Sequence, residues 1–443
     1  MKAKTLVVAF FFSVFPFTSN AEELQLERAI QIALAHNLEV ANSLLDVSKA
    51  TDRRAAYRTS LYPKLSFYAL GSEQLTPLSI TIAKGTLGNQ YPGIGPIPAR
   101  DVSYSSAGPT GYMIGRIAQP LSGIYKTRLN LKSLDFSKQI AQQKTRGKRQ
   151  DVVRDVSQAY HNIQQVQSSL VATRETAQLY KEVERITGDY VAKQTALPSE
   201  LMQAETSLAQ VEESELALTN QESNLKESLN DLMGRDVLTE FEVTPMSDEM
   251  ANINLDLASA RKKALSQRAE VQQARLKVLQ SEEELRAKHA EYIPDISAEF
   301  NAITLLSFNS FLPSGFYSIG LSLSWEPLDW GRKRSEMAEK RDVIAQDKNT
   351  ETSAERKVIM DVDSKYRQMQ LSCSKLRVAR LSQKAAQENL RVDKNQYEVQ
   401  AALLKVVFQA QSTVAQANSD FTHAIADYET AKADFEHALG DDQ

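Results

Sequence analysis

Few residues in this chain are spaced to do chemistry. The five histidines, His36, His161, His289, His423 and His437, show no ligand spacing for a metal ion. No glycine-rich phosphate loop, nucleophile elbow or metalloprotease motif occurs, so no enzyme and no cofactor is expected. The basic run Lys144, Arg146, Lys148, Arg149 could bind an acidic partner, but acids flank it, as they would on a solvated helix face. Glu200 is the sharpest candidate. Repeated around the axis of a threefold assembly, its carboxylate would form a ring that favours cations; otherwise it is an ordinary charge on a solvated helix.

The elements that must position these residues are written twice. Leu26, Ala29, Ala33, Leu34, Glu39, Val40 and Pro63 recur, at one constant offset, as Leu257, Ala260, Ala264, Leu265, Glu270, Val271 and Pro294. Pro120 and Leu121 recur as Pro327 and Leu328, and the stretch 201–234 returns as 407–440. Each copy reads helix, strand, strand, helix, helix, and a duplication of this size decides the fold. The expected segments are a signal peptide over 1–21, a first repeat over 22–234, a linker over 235–254 that holds Pro245, and a second repeat over 255–443.

Lys2 and Lys4 precede a mostly apolar core over 6–17, and Ser19-Asn20-Ala21 supplies the small residues of a secretory cleavage site. Losing those two lysines moves the net charge of the 443-residue chain from −4 to about −6, which gives no reason to expect nucleic-acid binding. No later run of apolar residues is long enough for a helical membrane span. Cys373 is the one cysteine, so no internal disulfide is possible, and with Glu22 after the cleavage site no lipid anchor is expected there.

Long helices are expected over 126–234 and 332–440, where breakers are few. The seam Leu201, Ala204, Leu208, Val211, Glu215, Leu218, Glu222, Leu225, Leu229, Leu232 steps by threes and fours. Its repeat is Val407, Ala410, Val414, Ala417, Phe421, Ala424, Tyr428, Ala431, Phe435, Ala438. This is coiled-coil patterning, with alanines that let helices approach closely. A sixty-residue helix would run roughly 90 Å, so each long segment is expected to reverse as a hairpin, near 188–198 and 395–404.

The strands keep a period of two. Ile296, Ala298, Phe300 and Ala302 alternate with Asp295, Ser297, Glu299 and Asn301; Tyr317, Ile319, Leu321, Leu323 and Trp325 alternate with small and polar residues. Such alternation fits either a stave of a membrane barrel or a half-buried strand of a soluble sheet. In the first copy Leu65, Phe67 and Ala69 give one apolar face. Tyr112, Ile114 and Ala118 give another, interrupted by Arg116, whose long side chain could snorkel. A loop of about 35 residues carrying Pro77, Gly85, Gly88, Pro92, Gly93, Gly95, Pro96 and Pro98 is expected between these strands, and a shorter apolar one around Phe308, Phe311 and Pro313 in the second copy.

Four strands cannot close a barrel, and an open sheet in lipid leaves its edge groups unpaired. Two copies of the chain would supply eight strands and three copies twelve, with a lumen only in the larger barrel.

The ordered set of features resembles the TolC-type outer-membrane efflux family over essentially the whole mature chain. It rests on the duplicated plan, on prolines opening the first strand of each copy (Pro63, Pro294), and on the strand-to-helix corner from Trp325 through Pro327 and Asp329-Trp330-Gly331 to Arg332, with Pro120 as its first-copy partner. Gly331 can take the positive φ that such a corner needs. Gln203-Ala204 and Gln409-Ala410 match the family's pattern past the hairpin tips. The resemblance implies an α+β membrane protein: a homotrimer with a 12-stranded transmembrane β-barrel in the outer-membrane lipid, four strands per chain, and a coiled-coil α-barrel extending into the periplasm. It implies an exit duct for a tripartite efflux pump or type I secretion, working with a periplasmic adaptor (membrane fusion protein) and an inner-membrane transporter. Two departures stand out. The tip glycine of the family is missing, since Tyr190 is followed by Lys193 and Tyr397 by Gln400. Where the family places acids near the periplasmic aperture, this chain offers Glu200 and Gln203 in the first copy and Val406 and Gln409 in the second. A soluble periplasmic coiled-coil scaffold or adaptor is the competing reading.

Overall fold

The computed structural model describes residues 22–88, 96–98, 100–195, 197–245, 256–306, 314–398, 401 and 404–441. The expected signal peptide, residues 246–254 of the expected linker, the loop around Phe308, Phe311 and Pro313, and Pro92, Gly93, Gly95 and Gln400 lie outside them. The elements are β1 (Glu22–Leu24), α1 (Leu26–His36), α2 (Leu38–Arg58), β2 (Lys64–Ile82), β3 (Val102–Pro120), α3 (Gly123–Ala192) and α4 (Pro198–Leu232). After them come β4 (Phe241–Val243), α5 (Leu257–Gln267), α6 (Ala269–His289), β5 (Asp295–Leu306), β6 (Gly315–Ser324), α7 (Arg332–Glu398) and α8 (Leu404–Leu439). Two compact units result. A helical unit takes the chain up to Leu44, Lys144–Val271 and Ala354–Gln443; a sheet unit takes Leu45–Gln143 and Gln272–Ser353.

The helical unit is held by two matched cores. One gathers Ala29, Ala33, Val40, Val152, Val156, Tyr160, Ile163, Leu229 and Met233. The other gathers Ala260, Ala264, Val271, Val358, Val362, Met369, Phe435 and Leu439, with Tyr366 packed against it. The repeat therefore runs through α3 and α7 as well, where Val152, Val156, Tyr160 and Ile163 answer to Val358, Val362, Tyr366 and Met369. Apolar residues at helical spacing bury one stripe per helix.

Each expected first helix is in fact broken once. Asn37 and Arg268 both take extended backbone, ψ 129° and 128°, between α1 and α2 and between α5 and α6. Asn37 caps α2 by accepting from Glu39 N at 2.8 Å, and its amide donates to Leu232 O at 2.8 Å. Arg268 spends its guanidinium on Asp361, Glu270 and the His437 carbonyl. The next copy of the motif explains the repeated glycines. Gly234 ends α4 at φ 66°, and a Cβ there would sit 2.3 Å from His36 O; Gly440 ends α8 at φ 79°, 3.0 Å from Arg268 N. Both are left-handed helix caps pressed onto a helix break.

The segment between the repeats adds a strand. β4 pairs in parallel with β1, placing Phe241 and Val243 in the first core, and Tyr160 Oη donates to Leu24 O at 2.8 Å. Two residues of the basic run are spent on contacts within the fold, while Lys144 and Arg149 are exposed. Arg146 donates to Gln267 O at 2.9 Å and to Gly440 O at 3.2 Å, and Lys148 pairs with Glu39 at 2.9 Å.

In the sheet unit four strands lie in the order β2-β3-β5-β6, every neighbour antiparallel, so β2 and β6 are its edges. β2 and β3 are 19 residues each, against 12 and 10 for β5 and β6. Much of the expected first loop is therefore a strand ribbon, paired as far as Ile82 with Val102. Its prolines are tolerated for positional reasons. Pro77 falls in the register irregularity between Gln74 and Leu78, and Pro109 lies beyond Gly111, where β3 has already left β5.

Candidate functional site

Register decides what each face of the sheet carries. Leu65, Phe67, Ile117, Met113, Ile296, Ala298, Phe300, Ala302, Tyr317, Ile319, Leu321 and Leu323 all fall on one face. That face is bare: Leu65 is 78% exposed, Ile319 86% and Leu321 75%. Phe300 and Tyr317 stack on it with ring centroids 6.3 Å apart. The opposite face carries Lys64, Ser66, Arg116, Asp295, Ser297, Glu299, Asn301, Ser318, Ser322 and Ser324, with Tyr68, Tyr112, Ile303 and Phe316 towards its far end.

This corrects the expected face of β3. Tyr112, Ile114 and Ala118 lie on the polar face with Arg116, and the apolar face takes Met113, Gly115 and Ile117. Arg116 interrupts nothing and has no need to snorkel, because it pairs with Glu299 on its own face. The two-residue repeat was right and its phase was inverted. Glycines at 111 and 115 strip the outward side of signal, while apolar residues on the polar face supply a false one.

The corner residues gather at one end of this sheet. Pro63 and Pro294 directly precede β2 and β5, each after a single 3₁₀ turn (Thr59–Leu61 and Ala290–Tyr292), where a missing N–H costs no ladder bond. Pro120 is the last residue of β3, opposite Ser297. Beyond it Leu121 N donates to Ile296 O at 2.8 Å and Ser122 Oγ accepts from Ile296 N at 2.8 Å, so the first corner is stitched to β5.

The second corner follows the edge strand and is stitched to itself. Asp329 accepts from Gly331 N at 3.1 Å and Lys333 N at 3.0 Å, which caps α7. Those backbone bonds, the one to Lys333 foremost, hold its carboxyl below the usual range. Lys333 donates to Glu326 O at 3.0 Å, and Arg332 pairs with Glu326 at 2.6 Å. Gly331 has φ 91° as expected, but Trp330 before it is also left-handed, at φ 55°. Pro327 lies between β6 and α7, outside both.

The long helices end and resume inside the expected windows: α3 stops at Ala192 and α4 starts at Pro198, and α7 stops at Glu398 and α8 starts at Leu404. At the first, Thr195 N donates to Tyr190 O and Gln194 N to Val191 O, both at 2.9 Å, a Schellman cap whose left-handed residue is Gln194, φ 62°. The left-handed position is thus one residue past Lys193. At the second tip Ala401 N makes the equivalent bond to Gln396 O at 2.8 Å. Glu200 and Gln203 are exposed in the first two turns of α4, and Val406 and Gln409 are exposed in the first two turns of α8. Among the described residues Glu200 has no ion-pair partner, and no hydrogen bond or ion pair joins the α4 pair to the α8 pair.

Histidine chemistry is absorbed by packing. His423 takes Ser169 Oγ at 2.7 Å, His161 meets Gln164 at 3.0 Å, and His437 meets Asp151 at 3.1 Å. Among the described residues no helix is long and apolar enough to cross a membrane, and no His, Cys, Asp and Glu group could hold a metal ion.

The chain is thus a duplicated set of long helices with one sheet that, among the described residues, is bare on its apolar face and open at both edges. A family model described as outer membrane efflux protein matches residues 29–235 and 260–441, so the chain belongs to that family, whose members are channels. A search of curated proteins gives no match. Among solved structures, the Campylobacter jejuni CmeC outer membrane channel is similar at 15% identity and TM-score 0.76, over 94% of this chain and 85% of that one. A membrane protein from Pseudomonas aeruginosa is similar at 17% identity and TM-score 0.75, over 94% and 93%. The outer membrane protein VceC from Vibrio cholerae is similar at 13% and 0.73, over 94% and 96%. At such identities the likeness establishes a TolC-like fold.

Proposed function

We propose that this chain forms the outer-membrane exit duct of a tripartite efflux pump or a type I secretion system, as a homotrimer. The carrying observation is the sheet: one apolar face bare, one face mostly polar and, among the described residues, two unpaired edges, β2 and β6. Covering a large apolar side chain is worth roughly 1.5–3 kcal/mol, so Leu65, Phe67, Ile117, Ile296, Phe300, Tyr317, Ile319, Leu321 and Leu323 left exposed in water are not a stable end state. Unpaired edge groups in lipid cost several kcal/mol each. Pairing β6 of one copy with β2 of the next removes both edges, and three copies close a 12-stranded barrel with its apolar face to lipid and Arg116, Glu299 and the serines around a lumen. The helices form the periplasmic part, where an adaptor and an inner-membrane transporter engage it. Pro63, Pro294, Pro120, Pro327 and Gly331 serve as the turning points between strands and helices.

Glu200, Gln203, Val406 and Gln409 line the periplasmic aperture, with Glu200 giving one acid per copy. In single-channel recordings Glu200→Gln lowers cation selectivity and Val406→Glu raises it; unchanged selectivity in both removes these residues from the aperture. The duct itself is tested by fractionation with crosslinking of the mature protein. A trimer in the detergent-resistant outer-membrane fraction is expected. A soluble periplasmic species would overturn the proposal and favour a scaffold.

A further inference from the structure

The polar face of the sheet stops being polar in one place. Tyr68 on β2 lies opposite Ile114 on β3, Ile114 opposite Ile303 on β5, and Ile303 opposite Phe316 on β6, so one row is apolar across all four strands. The next row away from the corners repeats this with Leu70, Tyr112 and Leu305. Tyr68 and Tyr112 meet with ring centroids 5.8 Å apart. Polar residues resume on both sides of the band. Ser66, Arg116, Asn301 and Ser318 form the row before it, and Ser72 follows it on β2.

The band is not buried by the rest of the chain: among its members Tyr68 is 53% exposed and Phe316 48%. Cross-strand neighbours touch but cover only part of one another. The serines beside it show that this face has no general need of apolar side chains. In the closed barrel of the proposed duct the opposite face meets lipid, so this one is enclosed, out of reach of acyl chains and of a folded partner. What can reach it is what passes through. The wall itself does not choose between signs of charge. Lys64 and Arg116 stand on this face against Asp295 and Glu299, and Arg116 is paired with Glu299. Selection by a ring of like charge is therefore missing here, and apolar contact is what the wall offers. Two rows along the strands span about 7 Å and four strands about 14 Å, the size of one or two fused rings.

We infer that this band is a binding site on the inner wall of the barrel for the apolar body of a small amphiphile, an aryl-bodied solute of either charge. Its polar end rests on the neighbouring row of Arg116 and Asn301. The site rests on the barrel reading above and gives the duct a small-molecule cargo.

The test is single-channel recording of the full-length trimer in planar bilayers, with four probe ions. Naphthalenesulfonate and naphthylmethyl-trimethylammonium carry the aryl body with opposite charges; methanesulfonate and tetramethylammonium carry the same charges without it. Both naphthyl ions should interrupt the current and both small ions should not. Phe316→Ser combined with Ile303→Ser should weaken the block about tenfold, as loss of apolar contact does, with the open current still present. Phe316→Leu, which keeps an apolar body, should retain most of the block and guards against a mere folding defect. An open channel that neither naphthyl ion interrupts, or one blocked equally in the serine variant, overturns the site and leaves the barrel standing. Block by one naphthyl ion alone also overturns it, since charge would then be what selects. A soluble protein that forms no pore removes the barrel reading and the site with it.

Discussion

α4 and α8 are the same helix written twice, and they end in different environments. Along α8 the seam residues Val407, Ala410, Ala417, Phe421, Ala424, Tyr428, Ala431, Phe435 and Ala438 are buried. Along α4 the matching seam is mostly half-buried, closing fully only at Ala204 and Leu229. The cause is two substitutions of type. Where α8 has Phe421 and Tyr428, α4 has Glu215 and Glu222. Even the answering cation is shared: Arg174 donates to Glu215 at 2.8 Å, and its counterpart Arg380 lies over the Phe421 ring, 5.6 Å from its centroid. A carboxylate cannot be buried without strong pairing, whereas an aromatic gains from burial and from the same guanidinium. The second repeat therefore completes its core within the chain. The first leaves a seam that other copies of the proposed trimer can cover.

The largest expected effect separates the two seams directly. Phe421→Ala should cost about 3–5 kcal/mol, while Glu215→Ala, which breaks a half-exposed ion pair, should cost under about 1 kcal/mol. Unfolding in urea followed by helical circular dichroism measures both. Equal losses would mean that α4 and α8 are equally committed to the core and that the comparison fails.

The capping glycines offer the next contrast. Both are left-handed, but an alanine Cβ at Gly234 would lie 2.3 Å from the His36 carbonyl oxygen, whereas at Gly440 the approach is 3.0 Å. Gly234→Ala should cost about 2–4 kcal/mol and Gly440→Ala about 1–2 kcal/mol, the latter mostly backbone strain. The reverse order in melting temperature would show that the α1–α2 break yields more readily than the α5–α6 break, which Arg268 braces.

How much of this was legible depended on whether the signal was local. The seams and dyad strands were legible because burial repeats at the period of the element, and the corner prolines because proline has few tolerated places in a sheet. The helix breaks at Asn37 and Arg268 were not, since neither residue breaks a helix by itself; Asn37 does so through Leu232 and Arg268 through Asp361, both distant in sequence. The β2–β3 ribbon was hidden by prolines that only position excuses. Arg116 was misplaced because the phase of a strand with glycines on one side is fixed by its neighbours' register. The left-handed backbone of Trp330 has no mark in the sequence, because Gly331 beside it already accounts for one positive φ at the corner.

A smaller effect depends on pH and sits in one repeat alone. His161 on α3 is buried, and desolvation, only partly offset by Gln164 and Glu429 and reinforced by Lys432, pushes its pKa below the ordinary value. Its counterpart on α7 is the exposed Arg367. The unfolded chain therefore binds this proton more readily than the folded one. The contribution is full above about pH 6.5 and falls as pH drops towards and through the lowered folded value. Stability followed by thermal melting should decline in that window for the native protein, and the decline should shrink in His161→Gln. An unchanged profile would place the acid sensitivity elsewhere.

The smallest effect tests the hairpin tip. Gln194 carries the left-handed position of a cap that glycine ordinarily fills, at a cost of about 1–2 kcal/mol in backbone strain. Gln194→Gly removes that strain but adds about 0.5–1 kcal/mol of chain entropy to the unfolded state, so the net gain should stay under about 1 kcal/mol. A small rise in melting temperature is expected. The cap tolerates glutamine because Thr195 closes it twice, through its backbone N–H and through Oγ1, onto the Tyr190 carbonyl at 2.9 and 3.0 Å. The second tip has alanine at the equivalent place, Ala401, and can make only the backbone bond. Thr195→Ala should therefore bring the first tip down to the level of the second and enlarge the gain from Gln194→Gly. If Gln194→Gly instead destabilises the protein, the glutamine side chain is being held by a contact outside the chain, and the tips differ in what they dock and not merely in how they turn.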